Sequence, residues 1–202
     1  MAKETFIFKM SKEKKLDELK KICENCFECE LVKTRTNIVF SDGNPDAKIV
    51  IIGEAPGRNE DETGKPFVGR AGKLLDELFL SQGLIREKDL YICNTVKCRP
   101  PENRVPTDVE KAKCERFLRG QLDILKPKII VLCGATALKT FLGNKVKISE
   151  VRGKWFDYQS ETKVMPVFHP SYLLRNPSLK ESSPKWLMLE DIKEIKKVYD
   201  SL

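Results

Sequence analysis

Seven cysteines and a single histidine narrow the chemistry open to this chain. Cys26 and Cys29 form a CxxC that Cys23 extends to CxxCxxC, and Cys98 and Cys114 stand 16 positions apart. A CxxC lets two thiolates reach one metal from a single turn, and a distant pair completes a tetrahedral sulfur set. Zinc and iron–sulfur chemistry both suit such a set on residue types alone. Cys93 and Cys133 lie inside apolar runs and read as small core residues. Cys114 shares a helical face with Phe117 and Leu118, so core packing competes with ligation there until the CxxC is counted. The odd number of cysteines and the absence of a long apolar stretch in MAKETFIFKMSKEKK speak against a secreted disulfide framework. Any imidazole role must fall on His169.

Three polar loops stand out. GEAPG at 53–57 ends an apolar run in a tight Gly/Pro turn and leads into Glu60, Asp61 and Glu62. It lacks the G-x-x-x-x-G-K-[ST] spacing of a phosphate-binding loop, and its acidic run reads as solvated surface. A rival reading makes Glu54, Glu60 and Asp61 the ligands of a metal-dependent nuclease. CRPPENRVP (98–106) and HPSYLLRNP (169–177) are the other two loops. Lys and Arg number 37 against 30 Asp and Glu, a net charge of +7. Residues 49–93 hold 6 basic and 8 acidic groups, whereas 94–128 hold 9 against 5 and 145–185 hold 8 against 4. Two basic segments around a near-neutral centre fit a polyanion partner. A thermophile-style Lys/Glu surface fits the same counts.

These residues need a scaffold. With 202 residues, 41% of them hydrophobic and 33% charged, the chain has the size of one domain with a short extra arm. That composition supports a real core and excludes collagen-like or disordered chains. No window approaches the ~18 uninterrupted apolar residues of a membrane span, so a soluble intracellular protein is expected. Leu16, Leu19 and Ile22 place a helix over 11–25. Strand and helix then alternate four times: 48–53 before 67–83, 89–96 before a helix capped by Thr107 and Glu110, 128–134 before 135–143, and 163–170 before roughly 184–199. Strands that are apolar throughout demand cover on both faces. The expected architecture is α/β, three-layer α/β/α, with a central four-stranded, mainly parallel sheet. All three polar loops leave carboxyl ends of strands, the edge where open parallel sheets bind ligands.

Taken in order, six motifs carry a resemblance. They are CxxC at 26–29, RTNIVFSDGNPDAKIVIIGEAPGRNED at 35–61, TGKPFVGRAGKLLD at 63–76, ICNTVKCRPPENRVP at 92–106, Cys114, and FHPSYLLRNP at 168–177. Together they closely resemble family 4 uracil-DNA glycosylases, the iron–sulfur branch of that superfamily, over roughly residues 23–200. The resemblance implies one glycosylase domain across 1–202, with an N-terminal arm (about 1–35) contributing to a [4Fe-4S] cluster. It implies hydrolysis of the bond joining uracil to deoxyribose in DNA. The ligands it implies are Cys26, Cys29, Cys98 and Cys114, the register being set by Arg35 and Thr36, with Cys23 as an extra. The uracil pocket it implies is Glu54, Ala55, Pro56, Phe67, Asn94 and His169, with Glu54, Asn94 and His169 catalytic. The implied partners are uracil-containing DNA and the released uracil, met by a monomer in a prokaryotic-type cytoplasm, at the nucleoid and without a membrane. A sliding clamp is a further partner class that the sequence does not show.

The residue types fit that chemistry. A base inside a duplex must be flipped out to be reached. Phe67 offers it an aromatic face, with stacking returning roughly 1–3 kcal/mol. The Asn94 amide can donate to uracil O4 and accept from N3–H. Cytosine reverses both groups, so an amide held in one orientation rejects it, and Asn94 must be pinned by neighbours. His169 can donate to O2 and stabilise departing uracil. Lys97, Arg99, Arg104, Ser171 and Arg175 suit the flanking phosphates, and Leu173 is placed like a wedge that fills the vacated stack. Ala55 stands where the best-known branch of the superfamily has a water-orienting aspartate. Glu54, the backbone around it, or leaving-group stabilisation must therefore carry that part of the reaction. No lysine nucleophile is evident in the loops, which implies base removal without backbone cutting. A non-catalytic, cluster-bearing nucleic-acid-binding module is the rival from another class.

Overall fold

A computed structural model describes residues 10–159 and 161–202. Most of the N-terminal stretch read for a leader, residues 1–9, lies outside the described residues. Helix α1 (Lys12–Glu24) starts at Ser11, whose hydroxyl accepts from the Lys14 amide. Strands β1 (Asp42–Gly43) and β2 (Ile49–Gly53) precede three helices, α2 (Arg58–Thr63), α3 (Arg70–Leu80) and α4 (Arg86–Asp89). Strand β3 (Leu90–Asn94), helix α5 (Asp108–Leu125), strand β4 (Ile129–Cys133) and helices α6 (Ala135–Leu142) and α7 (Ile148–Val151) follow. The chain then forms β5 (Phe156–Tyr158), β6 (Thr162–Val167), α8 (Pro170–Arg175) and α9 (Pro184–Asp200).

The sheet has six strands in the order β1-β3-β2-β4-β6-β5. Its inner four, β3, β2, β4 and β6, are parallel and are the strands expected from the apolar runs. The expectation of four strands is corrected by β1 and β5, which add antiparallel edges. Neither carries the signal of a strand covered on both faces: β1 is two half-buried residues just before the turn at Pro45 and Asp46, and β5 is three partly exposed residues. Alternate residues of each inner strand feed two cores. Ile49, Ile51, Ile92 and Val131 pack toward Leu75, Phe79, Met188 and Ile192 of α3 and α9. Val50, Ile52, Cys93 and Ile130 pack toward Leu16, Phe117, Leu118 and Ala137 of α1, α5 and α6.

Strand β2 pairs with β3 on one side and β4 on the other. The direction of winding therefore reverses at the carboxyl end of β2, the crevice where doubly wound sheets take their ligands. Two expected boundaries move. The helix read over 67–83 begins at Arg70, and the strand read through 170 ends at Val167, so that His169 caps α8.

Candidate active site

Glu54, Ala55, Pro56, Phe67, Asn94 and His169 line one pocket at that crevice, together with Gly57, Glu60, Ala71, Pro100, Asn103, Arg104 and Ser171. Glu54 follows β2, Asn94 ends β3, Phe67 precedes α3, and His169 precedes α8. Missing side chains let them approach. A Cβ on Gly53 would lie 2.4 Å from Asn94 Oδ1 and 2.6 Å from the Phe67 ring, and one on Gly134 would lie 2.9 Å from the His169 Cβ.

Asn94 is 2% exposed, yet among the described residues no hydrogen bond holds its amide, which is positioned by packing alone. The expected pinning by neighbours acts on its backbone instead: Lys97 Nζ donates to the Asn94 carbonyl at 2.8 Å. Both ends of the amide are thus left for a ligand.

His169 is held at Nδ1, which accepts from the Ser171 amide at 3.2 Å and lies 2.8 Å from the Ser171 hydroxyl. An accepting Nδ1 puts the proton of a neutral imidazole on Nε2. Burial pushes the His169 pKa down from 6.5 to about 4; the Arg175 charge acts in the same direction and Glu60 opposes it. The ring therefore stays neutral at physiological pH. Its centroid is 5.7 Å from that of Phe67.

The Glu54 carboxylate accepts from the Thr136 hydroxyl at the start of α6, through Oε2. Its other oxygen, Oε1, has no donor among the described residues. The Glu54 carbonyl closes the β2–β3 junction by accepting from Val96 N and Thr95 Oγ1. Thr136 is a contact that sequence reasoning missed, because nothing in ATALKTFLG marks which hydroxyl meets a residue 82 positions away.

The acidic run is solvated surface only at Glu62, which is exposed and pairs with Arg58; at Glu60 and Asp61 the structure corrects that reading. Glu60 accepts from Gly57 N at 3.1 Å with Oε2, and from Val68 N and Gly69 N at 2.9 and 2.8 Å with Oε1. It therefore ties the GEAPG turn to the loop carrying Phe67. Asp61 is 2% exposed and accepts from Thr36 N and Asn37 N. The nuclease reading fails with this: Glu60 and Asp61 serve backbone amides, and among the described residues no three His, Cys, Asp or Glu side chains converge as single-ion ligands.

A second cavity is lined by Cys23, Cys26, Cys29, Cys98 and Cys114. Cys23 lies in the last turn of α1, Cys29 opens a short 3₁₀ turn, Cys98 follows β3 and Cys114 lies on α5. Three of the sulfurs accept hydrogen bonds: Cys98 from Arg35 Nη1 at 3.3 Å, Cys114 from Lys97 N at 3.2 Å, and Cys26 from Arg116 Nη2 at 3.8 Å. Burial pushes the Cys23 thiol up to about 12 and the Cys114 thiol to about 11, with Lys97 opposing both, and raises Cys98 against the pull of Arg35. Thiols so buried become thiolates when a metal takes the proton's place. A sulfur-rich wall with N–H donors aimed at it, two from guanidinium groups and one from the backbone, fits an iron–sulfur group. Cys93 and Cys133 are fully buried in strands, as expected.

The expected DNA contacts divide. Arg175 and Arg104 are exposed, although Arg104 makes a bidentate pair with Glu110 and Arg99 donates to Asn103. Lys97 is corrected: it is 1% exposed, and its ammonium donates to the Asn94 carbonyl and to Gln121 Oε1, out of reach of any phosphate. Leu173 is corrected as well, since it is fully buried in the core under α8 and cannot wedge a duplex. Its neighbours Tyr172 and Leu174 are the exposed ones, at 39% and 40%.

No described helix is long and apolar enough to cross a membrane. A family model described as the uracil DNA glycosylase superfamily matches residues 40–193. A Type-4 uracil-DNA glycosylase of Thermotoga maritima is 52% identical, covering 86% of this chain and 88% of the relative. One from Archaeoglobus fulgidus is 45% identical, covering 82% and 86%. A Type-5 enzyme of Thermus thermophilus is 33% identical over half of each chain. The family match contains every element that lines the pocket, and the Type-4 likeness runs along most of the sequence: the chain belongs to the type-4 group of the uracil-DNA glycosylase superfamily.

Proposed function

We propose that the chain removes uracil from DNA by hydrolysing its N-glycosidic bond, leaving the sugar–phosphate backbone uncut. The observation that carries this reading is the meeting of an unsatisfied amide, a neutral imidazole, an aromatic ring and a carboxylate in one crevice. A flipped uracil stacks on Phe67. Asn94 Nδ2 donates to O4 while Oδ1 accepts from N3–H, and His169 Nε2 donates to O2. As the C1′–N1 bond breaks, its electron pair leaves with uracil, and the charge spreading onto O2 is held by the His169 N–H. A neutral donor suits this task, because it gains strength as charge develops and keeps its own proton. Water bonds to C1′ and gives up a proton, which ends on uracil N1. Ala55 has no group for that water. Glu54 Oε1 is the free acceptor beside it, with Thr136 fixing the carboxylate through its partner oxygen.

Cys26, Cys29, Cys98 and Cys114 hold a four-iron four-sulfur cluster in this reading, with Cys23 a buried neighbour. Support comes from the five cysteines that line one cavity, three of whose sulfurs accept from the N–H groups of Arg35, Lys97 and Arg116. The cluster, when bound, supplies a cross-link between the N-terminal arm and the loop after β3. In this reading the enzyme acts as a monomer on uracil-containing DNA, at the nucleoid of a prokaryotic-type cytoplasm.

A uracil-containing oligonucleotide tests the reading. Free uracil and an alkali-sensitive site should appear, with no strand break before alkali and the same rate in EDTA. Direct strand cleavage, or activity abolished by EDTA, would return the nuclease; binding without uracil release would leave a non-catalytic module.

A further inference from the structure

We propose that Arg86 is a positioning residue for the flipped base, acting through the backbone of Phe67. The inference rests on Phe67 being the stacking residue. Phe67 has a φ of +53°, in the left-handed region that bulky side chains rarely adopt. A residue stays there when its surroundings over-determine it. Here a planar fork does so. Arg86 Nη2 donates to the Phe67 carbonyl at 2.8 Å and Nη1 to the Pro66 carbonyl at 3.1 Å. The same guanidinium is oriented by two carboxylates from other elements, with Nε donating to Asp76 of α3 at 2.8 Å and Nη1 to Asp42 of β1 at 3.1 Å. Its side chain is 9% exposed, so the arrangement is shielded from competing water.

The loop is gripped on its other flank by Glu60 at Val68 and Gly69. From beneath, α3 leaves room for it at Gly72, where a Cβ would lie 1.9 Å from the Phe67 carbonyl oxygen. The ring direction is therefore set by its peptide, and the peptide by Arg86. A lysine cannot reproduce this, because an ammonium is a point charge without a fork that meets two carbonyls and two carboxylates in one plane.

Single-turnover uracil release is measured for the parent, Arg86→Gln, Arg86→Lys, Phe67→Ala and Arg86→Gln/Phe67→Ala, together with inhibition by free uracil. Measurements are made at a temperature where circular dichroism shows each protein folded. Arg86→Gln should slow release by about 10²-fold, the scale of a misplaced reacting group, and weaken uracil inhibition in parallel. Arg86→Lys should also lose at least about tenfold, and it carries the test if the glutamine variant does not fold. In the Phe67→Ala background the same change should add less than about twofold, because residues acting as one unit are not additive. A second full loss in that background, or an unchanged rate in both Arg86 variants, overturns the proposal. A Phe67→Ala enzyme as fast as the parent overturns the stacking reading beneath it. A parent that releases no uracil overturns the glycosylase reading itself.

Discussion

Acid should expose the state of the one imidazole in the chain, because a single histidine gives a single signal. In the fold His169 is driven from 6.5 to about 4, mainly by burial and further by Arg175. At roughly 1.36 kcal/mol per pH unit, the full difference is on the order of 3 kcal/mol. The direction follows from proton uptake. Below about pH 6.5 the unfolded chain binds a proton that the folded chain refuses, so stability falls from there to about pH 4 and then levels off. By pH 5 the loss attributable to His169 is about 2 kcal/mol. Urea unfolding of the parent and of His169→Gln should show their stability difference shrinking by that amount between pH 7 and pH 5. The imidazole resonances should hold still across pH 5–8, and the single-turnover rate should show no limb near 6.5. A ring that titrates near 6.5 in the folded protein, or a tenfold fall in rate between pH 7 and pH 6, would refute the neutral-donor argument.

Cys98→Ala or Cys114→Ala should lose the brown colour, most of the bound iron and thermal stability, whereas Cys133→Ala keeps its colour; iron analysis and visible absorption decide. Asn94→Asp turns the donor that meets O4 into an acceptor, so uracil excision should fall while cytosine is tolerated better, and an unchanged uracil rate would remove Asn94 from base reading. His169→Ala should cost roughly 10²–10³ in single-turnover rate. Glu54→Gln, which keeps the Thr136 contact, should cost about tenfold or less, and the reverse order would make Glu54 the general base. Leu173→Ala should lower stability by about 2–5 kcal/mol as a core truncation. Leu174→Ala should leave stability unchanged and weaken duplex binding, so equal effects at both positions would undo the assignment.

What the sequence announces depends on how local its physics is. The capping box is legible from two residues, and both of its bonds form, Glu110 N to Thr107 Oγ1 and Thr107 N to Glu110 Oε2. The inner strands are legible because burial on both faces leaves an unbroken apolar run. Lys97 misleads because a lysine in a basic loop looks exposed. Its carbonyl and amide partners meet it through the packing of α5 against β3, which no window reveals. Leu173 and Leu174 are adjacent leucines on a six-residue helix, too short to give a phase, so the spacing from His169 points to Leu173 as the wedge although Leu173 is the one that faces the core. Arg86 lies 19 positions from the carbonyl it holds, and its role emerges once β1, α3 and α4 meet.

Two helix glycines of this chain would answer the same engineering change in opposite ways. Replacing glycine by alanine inside a helix ordinarily stabilises by about 0.5–1 kcal/mol. At Gly120 the new methyl would press on the tip of Leu19, a flexible end that can swing aside, so heat tolerance there is open to improvement. At Gly72 it would strike the Phe67 peptide at 1.9 Å, backbone that cannot yield without turning the ring out of the crevice. A thermostability screen would therefore collect Gly120 variants and discard Gly72 ones, so selection for folding alone would also preserve the peptide that aims Phe67 into the crevice.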